Sequence, residues 1–223
     1  MTADRNSRTG SGAHGPRWRR RREARPGEIL EAALQVFVQR GFAQARMEEI
    51  ARRAGVTKGT VYLYFASKEE LFRAVVRETI TPQLELIERI VAEHRGSAAE
   101  LFRQLVRRWW TVVGETELAR LPKLMVAEAA NFPELAEFFV REVVQRARGI
   151  VGGVLRRGIA AGEFREVDVE AAVRLAVAPL LAAAIYRHSL LPCDSEPWDF
   201  QKYLDLHVEF FLRGIARAEA SHD

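Results

Sequence analysis

The side chains with the clearest chemical potential lie in one short stretch, residues 57–64. Hydroxyl, ammonium and phenol groups recur there beside a glycine: Thr57, Lys58, Gly59, Thr60, Tyr62 and Tyr64. This set suits phosphates and base edges, because Lys and Thr donate hydrogen bonds to both, and because a helix N-terminus directs free N–H groups at phosphate. The stretch therefore indicates DNA binding.

Two short helices joined by a tight turn are predicted to position this stretch. The first begins near Met47, the second runs from Lys58 to about Tyr64, and the sequence Ala-Gly-Val-Thr lies between them. A turn of three or four residues that contains glycine is typical of a helix-turn-helix. Gly55 suits the left-handed backbone of such a turn, and the Thr57 hydroxyl is expected to cap the second helix.

The remaining chain predicts an all-α fold, since no segment alternates with period two for long enough to form a sheet. Pro26 suits the first turn of the first helix, Gly41 suits its end, and Pro82 is expected to kink or split the fourth helix. Apolar side chains of the helix-turn-helix region are predicted to be core: Val61, Leu63, Phe65 and Leu71. Five further helices are expected near residues 98–113, 117–130, 134–161, 168–190 and 198–218.

Charge is unevenly distributed along the 223 residues. The first 75 residues carry 15 Lys and Arg against 8 Asp and Glu, a net charge of +7, so the rest of this +4 chain carries −3. A basic N-terminal third on a mildly acidic body is expected when one end contacts phosphate. Residues 1–21 are predicted to be a disordered basic arm, which is either a solvated tail or a contact to phosphate or the minor groove.

Several classes of protein are disfavoured by composition. Cys193 is the single cysteine, so no internal disulfide forms, and a reducing cytoplasm fits. No secretory signal is recognised, and the longest apolar run, residues 175–186, falls short of the roughly 20 residues of a membrane span. Neither zinc-ligand spacing nor a phosphate-binding glycine loop is present. Catalytic and metal residues and cofactors are therefore predicted to be absent, and the proximity of His188 to Cys193 in sequence is better explained by chance.

The helix-turn-helix also resembles a known family. The run from Ile50 to Leu71, IARRAGVTKGTVYLYFASKEEL, is similar to the DNA-binding domain of the TetR family of transcriptional repressors. The matches keep fixed spacing: Gly41-Phe42, Ile50-Ala51, Ala54-Gly55-Val56, Lys58-Gly59, Tyr62, Phe65, Lys68 and Leu71. Many matches over about 55 residues are far more specific than a lone helix-turn-helix pattern.

The resemblance implies roles for individual residues. The stretch from Thr57 to Tyr64 would face DNA, and Lys68 would clamp a phosphate. Arg46 stands where the family often has a capping Thr or Ser, so it is expected to contact phosphate without capping the helix. Tyr64 stands where His is common, so no operator sequence is carried over.

Domain organisation follows the same resemblance. Residues 22–82 are expected to form the DNA-binding domain, with the helix-turn-helix at about 45–64, and residues 83–223 a helical domain that binds a small molecule and forms a homodimer. A dimer suits a palindromic operator, because two recognition helices read two half-sites. The expected function is a cytoplasmic dimeric repressor released by a small hydrophobic or amphipathic ligand. The alternative is a DNA-binding helical protein without a ligand, either architectural or controlled by a partner.

Two sets of residues are candidates for the functions of the second domain. The ligand-pocket candidates are aromatic and aliphatic side chains at helical spacing, which are also common in plain cores: Phe102, Leu105, Trp109, Met125, Phe138, Phe139 and Tyr186. The dimer candidates lie on the last two helices, where ordinary core packing is the alternative: Ala171, Leu175, Ala178, Ala182, Tyr203, Leu206 and Phe210.

Overall fold

The computed structural model describes residues 17–217, and eleven α-helices account for most of this part. No β-strand occurs between residues 17 and 217, where Phe164 and Ala216 form a single antiparallel bridge, so the predicted all-α fold is confirmed. The helices are α1 (Arg17–Arg40), α2 (Met47–Arg53), α3 (Lys58–Tyr64), α4 (Lys68–Thr79), α5 (Thr81–Glu93), α6 (Ala98–Trp109), α7 (Arg120–Glu128), α8 (Pro133–Phe139), α9 (Gln145–Ala160), α10 (Val169–Ser189) and α11 (Phe200–Ile215).

The first helix begins earlier than predicted. Residues 17–21, expected in the disordered arm, form the first turns of α1, and Pro26 lies inside this helix rather than at its start. Residues 17–25 are mainly Arg, with Glu, Ala and one Trp, and most of these are good helix formers, which favours extension of the helix to the N-terminal side of the proline. Residues 1–16 of the predicted arm lie outside the described part of the chain.

Local sequence signals account for most other helix ends. Pro82 follows the junction of α4 and α5, as predicted, and Ser67 caps α4 by accepting a hydrogen bond from the Glu70 N–H. Ser97 and Glu100 form a reciprocal capping box at α6. Turns of π-helix at residues 110–114 and 140–144 continue α6 and join α8 to α9.

Two hydrophobic cores hold the helices together. The first core fills the helix-turn-helix domain and continues without interruption into α7 and α8, through Leu121, Leu124 and Phe138. The second core packs α6 against α9, α10 and α11. Because the first core crosses the predicted domain boundary, the position of the DNA-binding helices depends on the second domain.

Helix α10 has 21 residues and a mean hydropathy of 1.7, long and apolar enough by these measures to cross a membrane. One third of its apolar window is buried in the protein, where Val173, Ala176 and Leu180 belong to the second core. A core helix of a soluble protein meets the same measures, so this is weak evidence for a span.

Substitution by alanine is expected to have opposite effects on stability at two glycines of α9. A Cβ at Gly158 would overlap the buried Phe164 ring and lie 3.0 Å from the Ala98 Cβ, whereas a Cβ at Gly153 would meet nothing within 4 Å. We expect Gly158→Ala to lower the free energy of unfolding by about 1–3 kcal/mol through overpacking. Gly153→Ala, the matched control, should raise it by about 0.5–1 kcal/mol through helix propensity. Urea denaturation at fixed protein concentration measures both, and equal effects would contradict this packing.

Candidate nucleic-acid interface

The turn between α2 and α3 is built by a pattern of backbone hydrogen bonds. The Val56 N–H donates to the Ala51 carbonyl at 3.0 Å, and the Gly55 N–H donates to the Arg52 carbonyl at 3.3 Å, which is a Schellman motif. Gly55 has φ +66°, so the predicted left-handed backbone is confirmed. Ala51 is buried at the helix crossing, where a small side chain lets the two helices approach closely.

Helix α3 begins with the predicted cap. The Thr57 hydroxyl accepts a hydrogen bond from the Thr60 N–H at 3.2 Å and lies 2.9 Å from the Thr60 hydroxyl. Val61 anchors the inner side of the helix with no exposed surface, while Lys58, Gly59 and Tyr62 are exposed. The structure thus brings the sequence-predicted donors onto one solvent-facing surface.

Gly59 has no internal reason to be glycine. A Cβ at this position would lie 3.8 Å from the Thr57 hydroxyl oxygen, which is an ordinary van der Waals distance. Among the described residues, the glycines with positive φ are Gly41, Gly55 and Gly162, so the backbone of Gly59 does not require glycine either. Its small size fits a requirement from outside the chain, namely close approach of the helix N-terminus to a DNA backbone.

Lys58 is held by an acidic neighbour from α2. Its ammonium group forms an ion pair with the Glu48 carboxylate and lies 5.7 Å from the centroid of the Tyr62 ring. The hydrogen bond from Lys58 lowers the pKa of Glu48, and the same bond raises the pKa of Lys58. The pair therefore stays ionised at neutral pH. It is lost when the pH falls below the lowered pKa of Glu48 or rises above the raised pKa of Lys58. A phosphate must compete with Glu48 for this ammonium group.

Lys68 points into the protein. Its ammonium group donates to the carbonyls of Phe42, Ala43 and Ala45 at 2.7, 3.1 and 3.2 Å, and it lies 4.6 Å from the centroid of the Phe42 ring. These three hydrogen bonds occupy the three donors of the group. The structure thus gives Lys68 a role in holding the segment between α1 and α2, which differs from the phosphate contact implied by the resemblance.

Three other residues complete this surface. Arg46 is exposed at the start of α2 and makes no side-chain cap, as expected. Tyr64 is half-buried against the first core, so less of it is presented to a partner than predicted. Leu63, predicted to be core, is 73% exposed, so that prediction is wrong. Leu63 lies two positions from Val61, on the other side of the helix, and a helical wheel would have placed it outside. An apolar side chain there can contact thymine methyl groups.

A separate apolar cavity lies in the second domain. Its wall is formed by α5, α7, α9 and α10, by the last residues of α6 and α8, and by the two π-helical turns. The cavity has a volume of about 290 Å³ and adjoins a smaller cavity of about 80 Å³. Leu84, Ile87, Trp109, Ala147 and Val177 line both. The polar residues on its wall, Gln83, Arg148 and Arg174, are few, as in pockets for largely apolar ligands.

The structure divides the predicted pocket residues into two groups. Those that line the cavities are Phe102, Leu105, Trp109 and Phe139. Met125 and Phe138 do not line these cavities, because they are buried in the first core against the DNA-binding domain. Tyr186 instead stacks on Trp198 with ring centroids 4.4 Å apart. Helical periodicity showed that these side chains face inward, but not which neighbour they meet.

Family comparisons agree with this architecture. Residues 29–75 match the family model described as bacterial regulatory proteins, tetR family, and residues 92–196 match a tetracyclin repressor-like C-terminal domain. The chain belongs to the tetR family. This regulator is a helix-turn-helix protein that binds DNA and is not an enzyme, like the other members.

Individual relatives extend over different parts of this tetR-family regulator. A Bacillus subtilis protein named fatty acid metabolism regulator protein is 30% identical over 146 residues, which are 65% of this chain and 74% of the relative. The transcriptional activator FasR of Mycolicibacterium smegmatis is 49% identical over 59 residues, but these span only about a quarter of either protein. A solved structure of FadR from Bacillus subtilis in complex with stearoyl-CoA superposes with a TM-score of 0.68, at 23% identity, over 85% of this chain and 98% of that one.

The candidate dimer face of the regulator is largely exposed. Leu175 and Phe210 are 69% and 66% exposed, and Ala171, Ala178, Ala182 and Leu206 are also exposed. Tyr203 differs, because it is half-buried and its hydroxyl donates to the Pro179 carbonyl at 3.3 Å within the protomer.

Other chemistry is not assembled in the described residues of the regulator. Between residues 17 and 217 no cluster of three or more His, Cys, Asp or Glu side chains could hold a metal ion. The His188 Nε2 lies 2.9 Å from the Gly114 carbonyl, and Cys193 is exposed in the turn after α10.

Removing the acidic partner of Lys58 is expected to strengthen nonspecific DNA binding. Glu48→Gln frees one cation and removes one repulsive charge, so the affinity for random duplex should rise severalfold, and the slope of log K against log salt should steepen by about 0.9. Fluorescence anisotropy over a salt series measures both. Glu93→Gln, an exposed residue at the end of α5, makes the same charge change away from α3. Equal increases in both variants would show a general charge effect and contradict competition at Lys58.

Proposed function

We propose that this tetR-family regulator is a dimeric repressor, released from a palindromic operator when a long-chain acyl-CoA or a similar amphipathic ligand occupies the cavity of the second domain. The observation that carries the ligand part is the 290 Å³ apolar cavity with two arginines on its wall. A wall of aliphatic and aromatic side chains suits an acyl chain, and Arg148 and Arg174 suit an anionic head group.

The relatives support the same class of ligand. The Bacillus subtilis relative is named for fatty acid metabolism, and the FadR structure that shares this fold holds stearoyl-CoA. The alternative, a DNA-binding protein without a small-molecule ligand, would be expected to have a collapsed second domain. The open cavity between the helices favours the ligand-binding hypothesis over this alternative.

The DNA contacts proposed for each protomer lie on the exposed surface of α3 and the start of α2. They comprise Arg46, Thr57, Lys58, Gly59, Thr60, Tyr62, Leu63 and the exposed part of Tyr64. Lys68 is not included, since its donors are occupied inside the protein. A reader of chromosomal DNA of this kind is proposed to act in the cytoplasm.

Dimerisation is proposed through α10 and α11. Leu175 and Phe210 expose two thirds of their surface, and small alanines beside them allow a second pair of helices to approach. This accounts for the high hydropathy of α10, which needs one apolar face for its own core and another for the partner. The dimer places two recognition helices on half-sites about one helical turn of DNA apart.

The DNA immediately upstream of the protein's own reading frame is the first operator to test. Lys58→Ala and Tyr62→Ala should each weaken binding by about tenfold, because each removes a direct contact. Arg95→Ala, which removes an exposed cation between α5 and α6, is the control and should bind as the parent does. Weak binding that falls steeply with salt and is unchanged by either α3 variant would show only nonspecific attraction at that DNA.

Filling the cavity should separate ligand binding from DNA binding. Ala147 lines both cavities, so the ring of Ala147→Phe should occupy the space of an acyl chain and weaken stearoyl-CoA binding at least tenfold, as measured by titration calorimetry. Operator affinity without ligand should stay within twofold of the parent. Ala160→Phe places the same ring on an exposed position of α9 and should change neither quantity. Unaltered stearoyl-CoA affinity in Ala147→Phe would contradict the proposed site.

A further inference from the structure

Glu128, in the last turn of α7, is the one charged side chain that is buried among residues 26–217. Its Oε1 accepts a hydrogen bond at 3.0 Å from the N–H of Ala43, which lies 85 residues earlier in the segment between α1 and α2. Burying a carboxylate is unfavourable unless hydrogen bonds compensate for lost hydration. A core helix would accommodate an apolar residue at this position more easily, so the carboxylate needs an explanation.

The backbone N–H and carbonyl groups of Ala43 form hydrogen bonds with side chains from both domains. Its N–H donates to Glu128 of the second domain, and its carbonyl accepts from the Lys68 ammonium group of α4 at 3.1 Å. Beside it, the Phe42 ring packs edge-on against Phe132, in the turn after α7, with centroids 4.7 Å apart. One hydrogen bond and one ring contact therefore fix this segment to the end of α7.

The backbone at Gly41 leaves room for the Glu128 carboxylate to lie close to this segment. Its φ is +79°, and a Cβ on it would lie 3.0 Å from the same Glu128 oxygen. A side chain is thus disfavoured both by the backbone conformation and by the carboxylate. Glu128 comes as close to the segment as the backbone allows.

The segment leads directly to the DNA-binding helices. The Ala45 N–H donates to the Gly41 carbonyl at 3.2 Å, and the Arg46 carbonyl then accepts from the N–H groups of Glu49 and Ile50 in the first turn of α2. A displacement at Ala43 therefore changes where α2 begins, and α3 follows through its tight turn.

The other end of α7 leads to the cavity. Pro122, on the cavity wall, precedes Glu128 by six residues, which is about 9 Å along a helix. Leu118, just before α7, lines the same wall. A ligand that displaces this wall moves the Glu128 carboxylate with it, because a single α-helix joins the two points.

We propose that Glu128 is a positioning residue for DNA recognition: its hydrogen bond to Ala43 holds α2 and α3 in the arrangement that binds the operator, and ligand-driven movement of α7 breaks that bond. The positioning role stands on the geometry alone. The regulatory role rests on the ligand release proposed above.

Three substitutions at one position test the proposal in the full-length protein. Glu128→Gln keeps an acceptor oxygen, Glu128→Leu removes it, and Glu128→Asp withdraws the carboxylate by one methylene. Glu137→Leu, at an exposed glutamate of α8, controls for the loss of charge and the added apolar surface. Amide hydrogen exchange is followed at Ala43 and at the core amides of α6 and α9, and operator affinity is measured on a duplex selected from random DNA.

The Leu and Asp variants should exchange the Ala43 amide at least tenfold faster, with core amides unchanged, and should bind the selected duplex at least fivefold more weakly. The Gln and Glu137→Leu variants should stay within twofold of the parent. Stearoyl-CoA should bind the Leu and Asp variants at least as tightly as the parent, because they already favour the arrangement that the ligand prefers. It should weaken operator binding of these two variants far less than that of the parent.

Parent-like Ala43 exchange and operator affinity in the Leu and Asp variants would overturn the positioning role. So would a general acceleration of core amides in Leu and Asp alike, which would show a merely structural role. A parent whose operator affinity ignores stearoyl-CoA would refute the ligand function and the regulatory role, while exchange and operator affinity still decide the positioning role.

Discussion

The segment of residues 41–45, in the six-residue connection between α1 and α2, determines how the DNA-binding helices are held. Several of its backbone polar groups are partly buried, and buried backbone groups need hydrogen-bond partners. Lys68 supplies donors to three of its carbonyls, and Glu128 supplies an acceptor to one N–H. Two oppositely charged side chains from different domains thus define where α2 begins, and through α2 the orientation of the recognition helix.

Domain size explains why the DNA-binding helices are held in this way. Helices α2 to α4 with the end of α1 form a unit of about 50 residues, and domains this small bury too little apolar surface to be very stable alone. The first core therefore continues into α7 and α8, through Leu121, Leu135 and Phe138. A large apolar interface joins the domains, so a change in the second domain is transmitted to the first rather than absorbed by a loose linker. In the proposed release, the loss of operator affinity cannot exceed the preference of the ligand for the non-binding arrangement.

Much of the fold could be predicted because its signals are local. Gly55, Thr57 and Pro82 each act within a few residues of themselves, and each has its predicted role in the structure. The exposed donors of α3 follow from helical periodicity in the same way. The early start of α1 was not predicted, because a proline suits the first turn of a helix. The helix-forming residues before Pro26 instead extend α1 back to Arg17.

Contacts between distant segments could not be predicted. An apolar face shows that Met125 and Phe138 are buried but not that they meet the DNA-binding domain rather than a ligand. Lys and Glu usually lie on the surface, so the sequence does not mark Lys68 and Glu128 as special. Only the folded chain brings both side chains to the backbone of Ala43. Leu63 is different, because its position on α3 relative to Val61 already predicts exposure, whereas its apolar residue type led to the prediction that it is buried.

We propose that acyl-CoA and operator DNA favour different arrangements of one protein, and thermodynamic linkage between the two ligands is the sharpest test of this proposal. Stearoyl-CoA affinity is measured by titration calorimetry on the protein alone and on the protein saturated with its operator. The operator should weaken stearoyl-CoA binding by the same factor by which stearoyl-CoA weakens operator binding, a factor of about 5–150 for typical couplings. Identical stearoyl-CoA affinities with and without operator would contradict it.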